Sequence, residues 1–87
     1  MWKIEFSRRV LKDVRKLPKD VLARVRETLK PIKQDPWKHS EPLVNLPYRK
    51  IRVGDYRVIV DIRQQEKKIV VLMIDHRKKV YKRLWKL

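Results

Sequence analysis

YRKIRVGDYRVIVDI, residues 48–62, is the stretch that decides the fold. Gly54-Asp55 reads as the two-residue loop of a β-hairpin, flanked by alternating apolar and polar positions. That loop pairs Val53 with Tyr56, Arg52 with Arg57, Ile51 with Val58 and Lys50 with Ile59. One face then carries Ile51, Val53, Tyr56, Val58 and Val60, an apolar surface suited to packing on helices. The other carries Lys50, Arg52, Arg57, Ile59 and Asp61, and is basic. A slip of one residue would bury the charges, so the register is well specified. The pairing sets two arginines directly opposite each other, a conflict that costs up to roughly 1 kcal/mol.

Upstream, MWKIEF alternates, with Trp2, Ile4 and Phe6 on one side, as a half-buried strand does. Ser7 is a fitting N-cap for a helix whose apolar stripe is Val10, Leu11, Val14 and Leu17. Pro18 ends that helix and opens a second, in which Val21, Leu22, Val25, Leu29 and Ile32 share a face and Pro31 marks the end or a kink. The short connection makes a helical hairpin with a strongly basic outer face, on which Arg8, Arg9 and Lys12 are candidates for RNA contact. Residues 34–47, QDPWKHSEPLVNLP, hold three prolines and read as a surface loop pinned by Trp37, Leu43 and Leu46. Downstream, QQEKK is a second turn, and IVVLMID is a strand apolar on both sides, hence covered on both faces. The tail HRKKVYKRLWKL is mixed: Val80, Leu84, Trp85 and Leu87 either dock on the body or seat a partner. The expected fold is α+β in the order β-α-α-β-β-β, a mostly antiparallel twisted sheet with a helical hairpin on one face, as one domain over residues 1–87.

Twenty-five Lys and Arg against ten Asp and Glu give a net charge of +15. A field of that strength attracts polyanions, and nucleic acid is the expected partner. The blander explanations are solubility or a thermophile-like surface. There is no cysteine, which removes disulfides and thiolate metal sites. No stretch reads as a signal peptide or a membrane span, so a cytoplasmic location away from membranes is expected. Asp55, Asp61 and Asp75 are scattered, and none has a metal-ligand partner in sequence, so no metal or other cofactor is expected.

Lys50, Arg52 and Arg57, with neighbouring Arg49, make a phosphate site, since guanidinium forks suit bidentate contact with phosphate oxygens. If the third strand of the carboxyl half pairs with the second, its far end returns to Gly54-Asp55 and brings His76, Arg77 and Tyr81 toward Arg52 and Arg57. Arg57 and Arg77 are expected to be exposed there. His39 stands in the proline-rich loop with no cluster around it.

LPYRKIRVGDYRVIVDI followed by VLMIDHRKKVYKRL resembles the signature half of the RelE/ParE toxin superfamily, nearest to the archaeal RelE-type messenger-RNA interferases. The resemblance extends over essentially the whole chain. It implies a type II toxin that enters the ribosomal A site, with messenger and ribosomal RNA as partners, and inhibits translation. The resemblance further implies cleavage by metal-free attack of the ribose 2′-hydroxyl, leaving a cyclic phosphate. By similarity Lys50 and Arg52 hold the RNA, Arg57 meets the scissile phosphate, Arg77 helps the leaving 5′-oxygen, and Tyr81 orients the base or shares in proton transfer. His76 sits where some members place a basic residue. The spacing from Arg77 to Tyr81 is shorter than in the best-known bacterial members, and no glutamate stands near as a general base, which leaves Lys50, His76 and Tyr81 as candidates. The resemblance also implies a small acidic RelB-like antitoxin. Two other functions compete: a ParE-like gyrase poison without chemistry, and a non-catalytic nucleic-acid-binding module.

Overall fold

Period-two patterning at both ends of the chain becomes a single five-stranded sheet, in a computed structural model that describes residues 1–87. In chain order the elements are β1 (Lys3–Phe6), α1 (Val10–Lys16), α2 (Lys19–Ile32), β2 (Glu41–Pro42), β3 (Arg49–Val53), β4 (Tyr56–Arg63), β5 (Lys68–His76) and α3 (Arg77–Leu84). The sheet runs β1-β5-β4-β3-β2, with β1 parallel to β5 and every other neighbour antiparallel. This is the expected α+β architecture with two additions. A two-residue edge strand, β2, forms within the proline-rich loop. The mixed tail folds into α3, which docks on the body.

The hairpin takes the register read from its turn: Val53 faces Tyr56, Arg52 faces Arg57, and Ile51 faces Val58. Its apolar face packs on α1 and α2, where Val10, Val25, Ile32, Val58, Val60 and Val71 are fully buried. Burying such side chains stabilises by about 1.5–3 kcal/mol each and fixes which face is which. Ser7 Oγ accepts from Val10 N–H at 3.2 Å and caps the start of α1. Leu11, read as part of the α1 stripe, is exposed instead. Pro31 lies in the last turn of α2, which ends one residue later.

β5 is an interior strand covered on both faces, as its unbroken apolar run requires. Its second face, with Ile59 of β4 and Met73, packs under Val80 and Leu84 of α3 in a smaller cluster that Leu43, Leu46 and Tyr48 fringe. The pairing of β4 with β5 slips between Ile59 and Val60: Val60 faces Val71, but Ile59 faces Met73, so Leu72 has no opposite number. This bulge reverses the alternation of β5 beyond Leu72. No helix is long and apolar enough to cross a membrane.

Candidate nucleic-acid interface

The opposed arginines part at the turn. Arg52 is exposed and its Nε reaches Glu41 Oε1 of β2 at 3.2 Å. Arg57 folds under the loop, where its Nη1 donates to Gly54 O at 2.9 Å and to Tyr56 O at 2.8 Å. Arg57 is only 9 % exposed, contrary to the expectation of an open side chain. The like-charge conflict is thus relieved by one carboxylate and two carbonyls. A guanidinium carries five donor hydrogens, so Arg57 keeps donors beyond those used here.

α3 begins at the same end of the sheet. Arg77 N–H donates to Asp55 O at 2.8 Å, and Arg77 Nε lies 3.9 Å from Asp55 Oδ1. Arg77 and Tyr81 are four residues apart and share a side of α3. Lys50 Nζ stands 5.8 Å from the Tyr81 ring centroid, and the ring is 40 % exposed. Tyr81 therefore stands over Lys50, while Arg52 and Arg57 lie along the same alternation of the hairpin toward the turn, and Arg77 stands at that turn against Asp55. Lys50 and Tyr81 also line a groove of about 200 Å³ walled by Leu43, Leu46, Leu84 and Trp85.

Three groups of candidates lie elsewhere. His76 is opposite Tyr56, which packs on the helix-side core, and the two rings meet edge to face at 5.5 Å. The bulge at Leu72 puts His76 there, on the other side of the sheet from Lys50, Arg52 and Arg57. Its Nδ1 accepts from Lys78 N–H at 3.2 Å and caps α3. Arg49 shares the alternation of Ile51 and Val53, not of Lys50 and Arg52. It is spent on the loop: Nε donates to Ser40 Oγ and Nη2 to Ser40 O, both at 2.7 Å, and the guanidinium stacks 5.1 Å from the Trp37 ring centroid. Arg8, Arg9 and Lys12 are exposed at the start of α1, which packs against β5, two strands from β3.

Two features had escaped the sequence reading. The Arg24 guanidinium of α2 rests on Gly54, which has φ +59°; a Cβ there would lie 2.8 Å from Arg24 Nη1. Arg24 has no carboxylate partner, so the tip carries Arg24 on one side and Arg57 and Arg77 on the other, with Asp55 as the acid among them. The second is a clamp. Arg83 of α3 binds Asp13 Oδ1 of α1 and Asp75 Oδ2 of β5, each at 3.0 Å, while Asp13 Oδ2 accepts Ile74 N–H at 3.0 Å. Burial works against the Arg83 charge, but the hydrogen bonds it donates to Asp13 and Asp75 and their negative charges outweigh it and hold its pKa above the ordinary guanidinium value. The clamp ties α1, β5 and α3 together and fixes the helix that presents Arg77 and Tyr81. Its only local signal is an acid, Asp13, among cations. No group of three or more His, Cys, Asp or Glu side chains is placed to hold a metal ion.

With this geometry in hand, a sequence profile of the ParE toxins of type II toxin–antitoxin systems, of the parDE kind, matches residues 4–81. A search of curated protein sequences found no match. Among solved structures, the toxin–antitoxin complex RelBE2 from Mycobacterium tuberculosis superposes with a TM-score of 0.79 at 27% identity, over 86% of this chain and 90% of that one. The archaeal RelE–RelB complex from Pyrococcus horikoshii gives 0.61 at 26%, over 87% and 94%. The isolated RelE toxin of E. coli gives 0.77 at 21%, over 99% and 97%, a likeness of fold.

Proposed function

We propose, from the premise that this chain belongs to the RelE/ParE superfamily of type II toxins, that it is a ribosome-dependent endoribonuclease that cuts messenger RNA in the A site. The observation that supports the reading is that Arg52 pairs with Arg57 beside the turn, Tyr81 stands over Lys50 of the same strand, and Arg77 reaches the turn at Asp55. In-line attack of the 2′-oxygen on its own 3′-phosphate forms the cyclic phosphate and breaks the bond to the 5′-oxygen. Negative charge builds on the pentacoordinate phosphorus, and fixed cations stabilise it most when they need not reorganise. Lys50 and Arg52 hold the RNA backbone. Arg57, pinned by two carbonyls, points its remaining donors at the scissile phosphate. Arg77 balances charge on the leaving oxygen, and Tyr81 stacks on or orients the base. With His76 on the other face, the 2′-hydroxyl proton falls to Lys50 or Tyr81.

An antitoxin is the expected second partner. The Mycobacterium and Pyrococcus relatives were solved as complexes with RelB-type proteins, and a surface of net charge +15 favours an acidic one.

The test uses ribosomes stalled on a defined messenger with an empty A site. The expected result is a new 5′ end within the A-site codon, insensitive to EDTA at matched free Mg²⁺ and absent on naked RNA. A competent ribosome left uncut refutes the reading. The match to ParE-type toxins favours a second one, a gyrase poison, and inhibition of gyrase supercoiling with messengers intact would establish it.

A further inference from the structure

α3 has two flanks. Arg77 and Tyr81 look toward β3. His76, Lys79 and Arg83, at spacings of three and four, line a separate hollow of about 470 Å³ beside the end of β5 that extends past β1, which Lys16 closes from α1 and Tyr56 lines from β4. We propose, resting on the endoribonuclease reading, that this hollow is a second RNA subsite, which holds the nucleotide beyond the hairpin tip from the scissile phosphate.

The charge balance carries the argument. Arg83 holds Asp13 and Asp75 in a triad that keeps one net negative charge. Both acids are then fully engaged, Asp13 by Ile74 N–H at 3.0 Å and Asp75 by His76 N–H at 2.7 Å. Lys16 and Lys79 are exposed and have no carboxylate within ion-pair distance. Set against the one negative charge that the triad retains, the two ammonium groups leave the hollow with a net charge of +1, beside two aromatic rings, Tyr56 and His76, edge to face at 73°. Phosphate on the lysines and a base on the rings is the ligand that this pairing of groups fits. Acceptance at Nδ1 leaves the His76 proton on Nε2, a further donor.

Continuity with the first groove gives the path. His76 and Arg77 are consecutive and belong to opposite sides of the sheet's end. Between the two sites stands the tip, where the unpaired Arg24 guanidinium lies on Gly54. A strand leaving Arg77 thus crosses a cationic ridge before it reaches Lys16 and Lys79.

The test is binding of the full chain to 2′-O-methyl RNA, which resists cleavage by 2′-attack, in lengths of about four and about ten nucleotides. The double variant Lys16→Ala/Lys79→Ala should bind the longer RNA about tenfold more weakly, with a salt slope shallower by about one to two, and the shorter RNA as the wild type does. Lys19→Ala/Lys33→Ala removes the same charge from the two ends of α2, at its first residue and its C-cap, and should change neither. Thermal melting of both variants checks the fold. Equal losses for both lengths, or for both double variants, would make the effect a general one of charge and overturn the subsite. Unchanged RNA binding with weakened binding of polyglutamate would assign the hollow to an acidic protein and overturn it too. If the wild type binds no free RNA, or if it binds the longer RNA and the Lys16/Lys79 variant binds it equally, the subsite fails, while the endoribonuclease reading stands or falls separately on the cut of a ribosome-bound messenger.

Discussion

Arg57 and Arg77 flank one turn and differ in how they are held. Arg77 is exposed and touches Asp55 loosely, so Arg77→Ala should cut the cleavage rate by about 10²–10³ while leaving the melting temperature close to that of the wild type. Arg57 is buried and satisfies Gly54 O and Tyr56 O, so Arg57→Ala should lower cleavage and also cost about 1–3 kcal/mol of stability, read by urea unfolding. Equal stability of the two variants would contradict the burial of Arg57. Gly54→Ala forces a Cβ into a left-handed position against Arg24, and about 1 kcal/mol of lost stability is expected. The turn and the pairing of Arg52 with Arg57 were legible in the sequence because a two-residue loop fixes its neighbours. The burial of Arg57 was not, since it depends on carbonyls that the turn itself aims inward.

Elements were legible where a period was long enough to count. The strands of the hairpin and α1 and α2 carry clear two- and four-residue spacings. α3 is short, with five cations among its eight residues, and only Val80 and Leu84 face inward. Its apolar partners, Ile59 and Met73, lie on strands that the tail's own sequence cannot name. His76 was misplaced because a single residue, Leu72, reverses the alternation, and an unbroken apolar run hides a bulge. The clamp from Arg83 spans α1, β5 and α3 and left no periodic trace. Arg83→Met should leave Asp13 buried beside one hydrogen bond and cost about 2 kcal/mol, less than a fully buried pair because Arg83 is partly solvated. Since the folded pKa of Arg83 is raised, its stabilisation is complete below the unfolded value and is lost only as pH rises through the folded one. Wild-type melting should therefore show no dependence on Arg83 titration across the neutral range; thermal scans at several pH values check this.

At the scale of the whole molecule, charge decides association. Inorganic phosphate should raise the melting temperature more than chloride at equal ionic strength, because a ligand that binds only the folded groove stabilises it by mass action. Equal shifts from both salts would remove the phosphate site from the groove. The excess of cations was plain from composition, but composition does not say where carboxylates are spent. Glu41 goes to Arg52, Asp13 and Asp75 go to Arg83, and these choices leave Lys16, Arg24 and Lys79 open. The sheet order has a further consequence, for the chain as it is made. β5 lies inside the sheet, between β1 and β4, yet it is synthesised after every other strand, and β1 has no partner but β5. Closing that parallel contact joins Lys3 to Lys68 across most of the chain, a non-local step that cannot precede the appearance of residue 68. A product ending at the Gln64–Lys67 turn lacks the strand that holds the sheet together and the helix that carries Arg77 and Tyr81. Interrupted translation is therefore expected to yield fragments without the proposed catalytic set, which assembles only after β5 and α3 have been made.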